Sequence, residues 1–256
     1  MRGLQWFNAL SAGATPVDGL PASLKVADGV LGEQAVRFIA VVTDAHNRFP
    51  RARNGEVGLL EGWGLAKAVD DAIARGDRRP IIAIVDVPSQ AYGRREEALG
   101  IHQALAAAAD SYARARLAGH PVIALLVGKA MSGAFLAHGY QANRLIALRD
   151  PGVMVHAMGK ASAARVTLRS VEELEALAAS VPPMAYDIDS YASLGLLWET
   201  LSVSQIEHPT ADDVVRVSDC LLHAINDVAG PYLKGRLGAT HRAASSHVRQ
   251  LLREQW

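Results

Sequence analysis

Two stretches, residues 80–87 (PIIAIVDV) and 121–127 (PVIALLV), are almost wholly apolar and too short to be isolated buried helices. A strand buried on one face alternates apolar and polar residues. An unbroken run of aliphatics bounded by Pro and Gly instead predicts a strand covered on both faces. Between the two runs, residues 94–117 are Ala-rich and closed by Gly119, which predicts one long helix. Strand, helix, strand in that order is a right-handed crossover between parallel neighbours. A chain built on this unit is committed to layered α/β architecture.

The rest of the chain extends the pattern. Residues 24–27, 35–43 (AVRFIAVVT), 145–148 and 153–156 predict further strands, and 59–75 and 132–142 predict helices. Beyond Ala161 the periodicity is helical over 170–180, 184–199, 211–228 and 240–255, so residues 167–256 form a mainly helical C-terminal part. Residues 1–23, with Pro16 and Pro21, read as an irregular lead-in, and residues 44–58 as a basic, exposed loop. No Ser/Gly tract, charge block or internal repeat divides the chain, so 1–256 is expected to be a single domain.

Composition removes several classes of function. The 26 Lys+Arg balance 26 Asp+Glu, and half of the residues are hydrophobic. That excludes a disordered chain, and it leaves no basic excess for neutralising nucleic-acid phosphates. A single cysteine, Cys220, excludes an internal disulfide framework and a Cys-based zinc site, and fits a reducing cytoplasm. His102, His120, His138 and His208 show no metal-ligand spacing, so no metal is expected. No apolar run approaches the ~18 residues of a membrane span, and the N-terminus lacks the apolar core of a signal peptide. A cytoplasmic chain with neither nucleic-acid nor membrane partners is expected.

Two junctions remain where a buried strand runs through a marked turn into a helix: residues 86–93 (DVPSQAYG) and 128–134 (GKAMSGA). Such turns present backbone N–H groups above the strand ends, and two of them converging on one point make an oxyanion hole. Neither junction matches a dinucleotide fingerprint or a phosphate loop. PIIAIVDVPSQAYG, PVIALLVGKAMSGAFLAHGYQANRLIAL and GVMVHAMGKASAARV together resemble the carboxyltransferase branch of the crotonase superfamily, and within it the gamma subunits of biotin-independent malonate decarboxylases. The resemblance runs from about Val30 to Val166 and continues into the helical tail.

The resemblance implies a crotonase-like fold of β-β-α superhelical units. It implies decarboxylation, with a homologous beta subunit, of a malonyl thioester borne by the phosphopantetheine-type arm of an acyl carrier protein. No cofactor would be bound by this chain itself. Carried over by position, one oxyanion donor is the N–H of Gly133, with Ser132 beside it, and the other belongs to Gln90 or Ala91. The family's D-T-P-G-A-Y appears here as Asp86-Val87-Pro88-Ser89-Gln90-Ala91-Tyr92, and its glycine run as Lys129-Ala130-Met131. Ser89, Met131, Lys129 and His156 are thereby placed around the substrate, with Met131 narrowing the pocket and Lys129 either meeting a carboxylate or simply solvated. Arg51, Arg53, Arg94 and Arg95 offer cations to an acidic carrier protein. Lys160 lacks the flanking methionines of a biotin attachment site.

Two other readings use the same residues. Ser132 and His156, 156 − 132 = 24 residues apart, also resemble the nucleophile and base of Clp-type serine peptidases, which predicts a Ser–His dyad. His156 is equally readable as a hydrogen-bonded core residue. In the third reading the chain is a non-catalytic scaffold for the beta subunit.

Overall fold

The computed structural model describes residues 1–236 and 239–256. β2 (Leu24–Leu31) and β3 (Gln34–Val41) form a hairpin, and β1 (Thr15–Pro16) lies antiparallel on β2. From β3 the sheet continues in parallel through β4 (Ile81–Val87), β5 (Val122–Met131), β6 (Arg144–Leu148) and β8 (Glu199–Leu201). β5 is ten residues long because it serves two neighbours. Residues 123–126 pair with β6, and residues 129–131 pair with β7 (Met154–His156). The chain is therefore α/β, with both apolar runs of the sequence at the centre of the sheet.

α2 (Leu59–Ala74) and α4 (Ile101–Leu117) pack on each other, with Gly62 so close to Ala104 that a Cβ would stand 2.8 Å from its backbone. One apolar core runs from Trp6 through the sheet to Ile225 on α9 (Ala211–Asn226). Burying aliphatic side chains at about 1.5–3 kcal/mol each makes this core the main stabilising term.

Several elements differ from the sequence reading. Residues 1–23 are not irregular. α1 (Arg2–Leu10) buries Gly3, Trp6, Phe7 and Leu10, which is i, i+3, i+4, i+7 spacing, and Trp6 Nε1 donates to Ile206 O at 2.9 Å. Residues 94–117 are two helices, α3 (Arg94–Ala98) and α4, because Gly100 adopts φ +79° between them. α5 (Ser132–Ala137) stops before 142, since Gly139 turns at φ +103° where a Cβ would meet Val85 at 2.8 Å. α6 (Lys160–Thr167) precedes α7 (Val171–Ala178), and residues 184–199 contain only the short α8 (Ile188–Ser193) before β8 extends the sheet. Residues 44–58 are not an exposed loop throughout. Asn47, Phe49, Ala52 and Val57 are buried, and the buried Glu61 accepts from Asn47 Nδ2 at 2.7 Å and from the Gly58 N–H at 2.9 Å.

α10 (Ala243–Gln255) buries none of its described residues. No described helix is long and apolar enough to cross a membrane.

Arg37 is fully buried inside the sheet layer. It donates through Nε and Nη2 to both oxygens of Asp28 at 2.7 Å, and through Nη1 to Asp71 at 2.8 Å and Ala68 O at 2.7 Å. Burial alone would raise the Asp28 carboxyl, but the bonds and charge of Arg37, with Arg75 and Arg79, hold it below the usual carboxylate range. The Arg37 bond does the same to Asp71. A depressed carboxylate stabilises the fold above its unfolded pKa of ~3.9, and that stability is lost as pH falls through the folded value. In denaturant unfolding at pH 7, Arg37→Met is expected to cost about 3 kcal/mol, the low end for breaking a buried pair because Asp28 keeps two other arginines. The gap between variant and wild type should narrow at pH 3. An equal gap at both values would contradict the ionic origin of the effect.

Candidate active site

The first junction leaves β4 through Pro88 and is pinned from the side. Val57 N–H donates to Ser89 O at 3.0 Å, and Ala91 N–H donates to Val57 O at 2.8 Å, making a parallel bridge opposite Gln90. In such a bridge the intervening residue directs its own N–H away from the partner strand. Ala91 is thus excluded as an oxyanion donor. Its side chain is buried in a small core with Phe49, Leu59 and Ile101, so its role is packing. Of the two donors expected here, only the Gln90 N–H stays outside the bridge. Ser89 is half-buried, and its Oγ donates to Gln90 O at 2.8 Å.

At the second junction β5 ends at Met131 and α5 begins at Ser132, whose φ of +57° lies in the left-handed region. A non-glycine residue there carries roughly 1–2 kcal/mol of strain. The turn is held by Ser132 Oγ, which donates to Ala157 O at 2.7 Å. The next N–H, that of Gly133, donates to Gln90 Oε1 at 2.9 Å. The structure therefore brings Gln90 and Gly133 together across 43 residues of sequence. An amide oxygen sits at the distance from Gly133 N that an oxyanion would take.

Ser132, Gly133 and His156 line a cavity of about 460 Å³, walled by Phe135, Leu136, Tyr140, Val155, Leu194 and Leu196 and closed by Pro182, Pro183 and Tyr191. The volume and the mostly apolar lining suit a small organic ligand. Among the described residues no cluster of His, Cys, Asp and Glu is placed to hold a metal ion.

Ser132 and His156 share this cavity without forming a dyad. Met131 is paired with His156 in the β5–β7 register, which sets Ser132 beside Ala157 instead. The His156 ring stacks on Tyr186, 3.9 Å between centroids and 11° from parallel. Its Nδ1 lies 3.0 Å from Met158 O and 3.2 Å from Met158 N, so in either tautomer that nitrogen is committed to the backbone. Burial pushes the imidazole pKa below its ordinary value, partly offset by the Met158 carbonyl. Ser132 Oγ is thus spent on Ala157 and makes no hydrogen bond to the His156 ring, whose Nδ1 is held by its own loop.

Residues 52–256 match the family described as malonate decarboxylase gamma subunit. The chain belongs to that family. It is 33% identical over 227 residues to the malonyl-S-ACP:biotin-protein carboxyltransferase MADD of Malonomonas rubra, covering 81% of this chain and 74% of that protein. It superposes with a TM-score of 0.95 and 71% identity on a chain of a Pseudomonas malonate decarboxylase hetero-tetramer in complex with coenzyme A, covering 100% of this chain and 99% of that one. A Pseudomonas MdcD–MdcE hetero-dimer gives 0.92 and 68%, with the same coverage. The transcarboxylase 12S core, 20% identical with a TM-score of 0.63 over 83% of this chain and 38% of that one, shares the fold alone. That is the crotonase-like carboxyltransferase fold expected from the sequence.

Within this gamma-subunit fold two expected pocket residues fall elsewhere. Met131, buried, packs with Ala163, Leu174 and Tyr186 in a separate cluster and does not narrow the cavity, because the strand end turns its side chain beneath α6 and α7. Lys129 is exposed on β5, where its N–H donates to Asp86 at 3.1 Å. Lys160 is paired with Glu175 at 2.6 Å. Sequence reasoning missed Tyr140, Tyr186 and Tyr191. They lie well apart from His156 in the sequence and left no signal there, since only the fold gathers them around it. Ser132 is expected to stay unlabelled by a fluorophosphonate that labels serine hydrolases, as read by intact mass. Labelling that disappears in His156→Ala would restore the dyad.

Proposed function

We propose that this chain acts with a homologous beta subunit to decarboxylate a malonyl thioester, delivered on the phosphopantetheine-type arm of an acyl carrier protein, to the acetyl thioester and CO2. The observation that carries the reading is the Gly133–Gln90 contact, in a chain of the malonate decarboxylase gamma subunit family. Breaking the C–CO2 bond leaves an electron pair on the α-carbon, which delocalises onto the thioester oxygen as an enolate. The thioester oxygen takes the position held by Gln90 Oε1, accepts from Gly133 N–H, and meets the Gln90 N–H as second donor. A proton taken up from solvent water at the α-carbon then gives the acetyl thioester. Donors aimed at charge that appears only in the transition state lower the barrier rather than merely binding substrate. Ser132 fixes the turn, and His156, held neutral by burial, lines the pocket without taking a proton from Ser132.

The relatives support each partner. MADD acts on a malonyl-S-ACP, and the Pseudomonas enzyme assembles as an MdcD–MdcE hetero-dimer and as hetero-tetramers that take coenzyme A or malonate. α10 exposes Val248, Leu251 and Leu252, with Trp256 exposed just beyond it, an apolar face suited to a partner subunit. Arg48, Arg51, Arg53, Arg94 and Arg95 are exposed around the first junction, and none pairs with a carboxylate among the described residues. They offer an acidic carrier protein an unneutralised surface. The continuous core from Trp6 to Ile225 supports one catalytic domain, and a lone buried Cys220 supports a cytoplasmic setting.

The test is CO2 release from malonyl-carrier protein by the chain, by its beta partner and by the two together. Only the pair is expected to be active. In the pair, Gly133→Val sets methyls against Gln90, whose Oε1 lies 3.4 Å from the added Cβ. It is expected to lower kcat/KM by about a hundredfold, the scale of losing one oxyanion donor. Gln90→Ala frees the Gly133 donor and is expected to lower KM with kcat kept. Arg51→Glu with Arg94→Glu should raise KM for the carrier-bound substrate and leave malonyl-coenzyme A unaffected. An unimpaired Gly133→Val pair would remove the oxyanion role.

A further inference from the structure

Among the described residues, one buried side-chain polar atom has no hydrogen-bond partner, the hydroxyl of Tyr191. Tyr191 sits on α8, is only 8% exposed, and lines the same cavity as Ser132, Gly133 and His156. A buried phenol ordinarily finds an acceptor, because an unmet donor in an apolar setting destabilises the fold. Keeping such a group at a cost in stability is the mark of a residue retained for a ligand. Burial pushes the phenol pKa well above its ordinary value, so the group remains a proton donor under working conditions.

The surroundings are cationic. Arg236 lies over the Tyr140 ring, 5.1 Å from its centroid, and donates to Tyr140 O at 2.9 Å. Arg242 donates to Arg236 O at 2.7 Å, and Arg116 donates to Gln141 O at 3.1 Å. None of these three guanidiniums pairs with a carboxylate among the described residues. Burial and the neighbouring Tyr140 outweigh Arg236 and Arg242, which favour the ionised phenol of Tyr191. An apolar cavity with one free neutral donor, flanked by unneutralised positive charge, selects an anion with an acceptor oxygen.

We infer that Tyr191 is a specificity-determining residue, whose hydroxyl donates to the free carboxylate of a dicarboxylic acyl ligand while Arg236 and Arg242, behind Tyr140, supply the field that admits the anion. The inference rests on the reading of this cavity as the malonyl site. A neutral donor suits the chemistry better than a direct ion pair. Contact with a guanidinium would stabilise the carboxylate in the ground state, and the carboxylate must lose its charge to depart as CO2. A single hydrogen bond orients it without that penalty, and the apolar walls favour the neutral product.

The experiment compares wild type with Tyr191→Phe in the complex with the beta subunit. Malonate is titrated as the binding probe, malonamide serves as the matched probe lacking any carboxylate, and turnover and thermal unfolding are measured alongside. Loss of a hydrogen bond to a charged group is expected to weaken malonate binding roughly ten- to hundredfold and to raise KM for the malonyl thioester in step, with kcat changed less. Malonamide binding should change little. The midpoint of unfolding should hold or rise, since the variant removes an unmet hydroxyl. Unchanged malonate affinity would overturn the inference, and so would a fall in the unfolding midpoint of several degrees, which would mean the hydroxyl has a structural partner. A wild-type complex that binds malonate but releases no CO2 would instead overturn the functional reading, since binding is read without turnover.

Discussion

Asp86 stands where the register of β4 on β5 shifts between Val85 and Val87, and its carboxylate accepts the N–H of Gly3 at 3.0 Å and the N–H of Lys129 at 3.1 Å. One side chain thus ties the N-terminal helix to the two central strands at the point where both approach the site. Gly128 is part of the same arrangement, because a Cβ there would stand 2.1 Å from Asp86 Oδ1. Beyond the shift, Val87 lies opposite Ala130, so the two strands deliver their following turns side by side. The 2.9 Å contact between Gln90 and Gly133 follows from that register. A slip of one residue would turn every side chain of the strand to the other face and separate the two turns.

On the proposed reading the site works through the main chain more than through ionisable side chains. Ser132 accepts left-handed backbone strain and spends its hydroxyl on Ala157, while His156 is stacked and bonded to its own loop. The cavity is lined by Gly133, whose N–H is covered by the Gln90 amide, by Tyr191 and by mostly apolar walls. For an enolate this is sufficient, since the charge to be stabilised is a single developing oxyanion. The balanced charge of the sequence is also regional in the fold. Buried arginine is neutralised at Arg37, whereas the arginines around Phe49 and around Tyr140 have no carboxylate partner among the described residues.

The central strands were legible because 80–87 and 121–127 are buried on both faces and leave no periodicity to mistake. The placement of Gly133 and Gln90 at turns was legible because their motifs sit at the ends of those strands. α1 was hidden by the prolines after it, although Gly3, Trp6, Phe7 and Leu10 carry helical spacing. The break at Gly100 was masked by the alanines that follow, which favour helix whichever way the chain turns. Ala91 and Met131 were misplaced for a different reason. Which N–H is free, and which side a strand-end residue faces, depends on Val57 and on α6 and α7, partners distant in sequence. Tyr191 belongs to the same class, since an unmet hydroxyl exists only in three dimensions.

The most direct measurement is a crystal structure of the chain with its beta subunit and a non-decarboxylating malonyl thioester analogue. The account requires the thioester oxygen about 2.7–3.1 Å from Gly133 N, with Gln90 Oε1 displaced from that nitrogen. A structure in which Gln90 still caps Gly133 while the thioester lies elsewhere would contradict it.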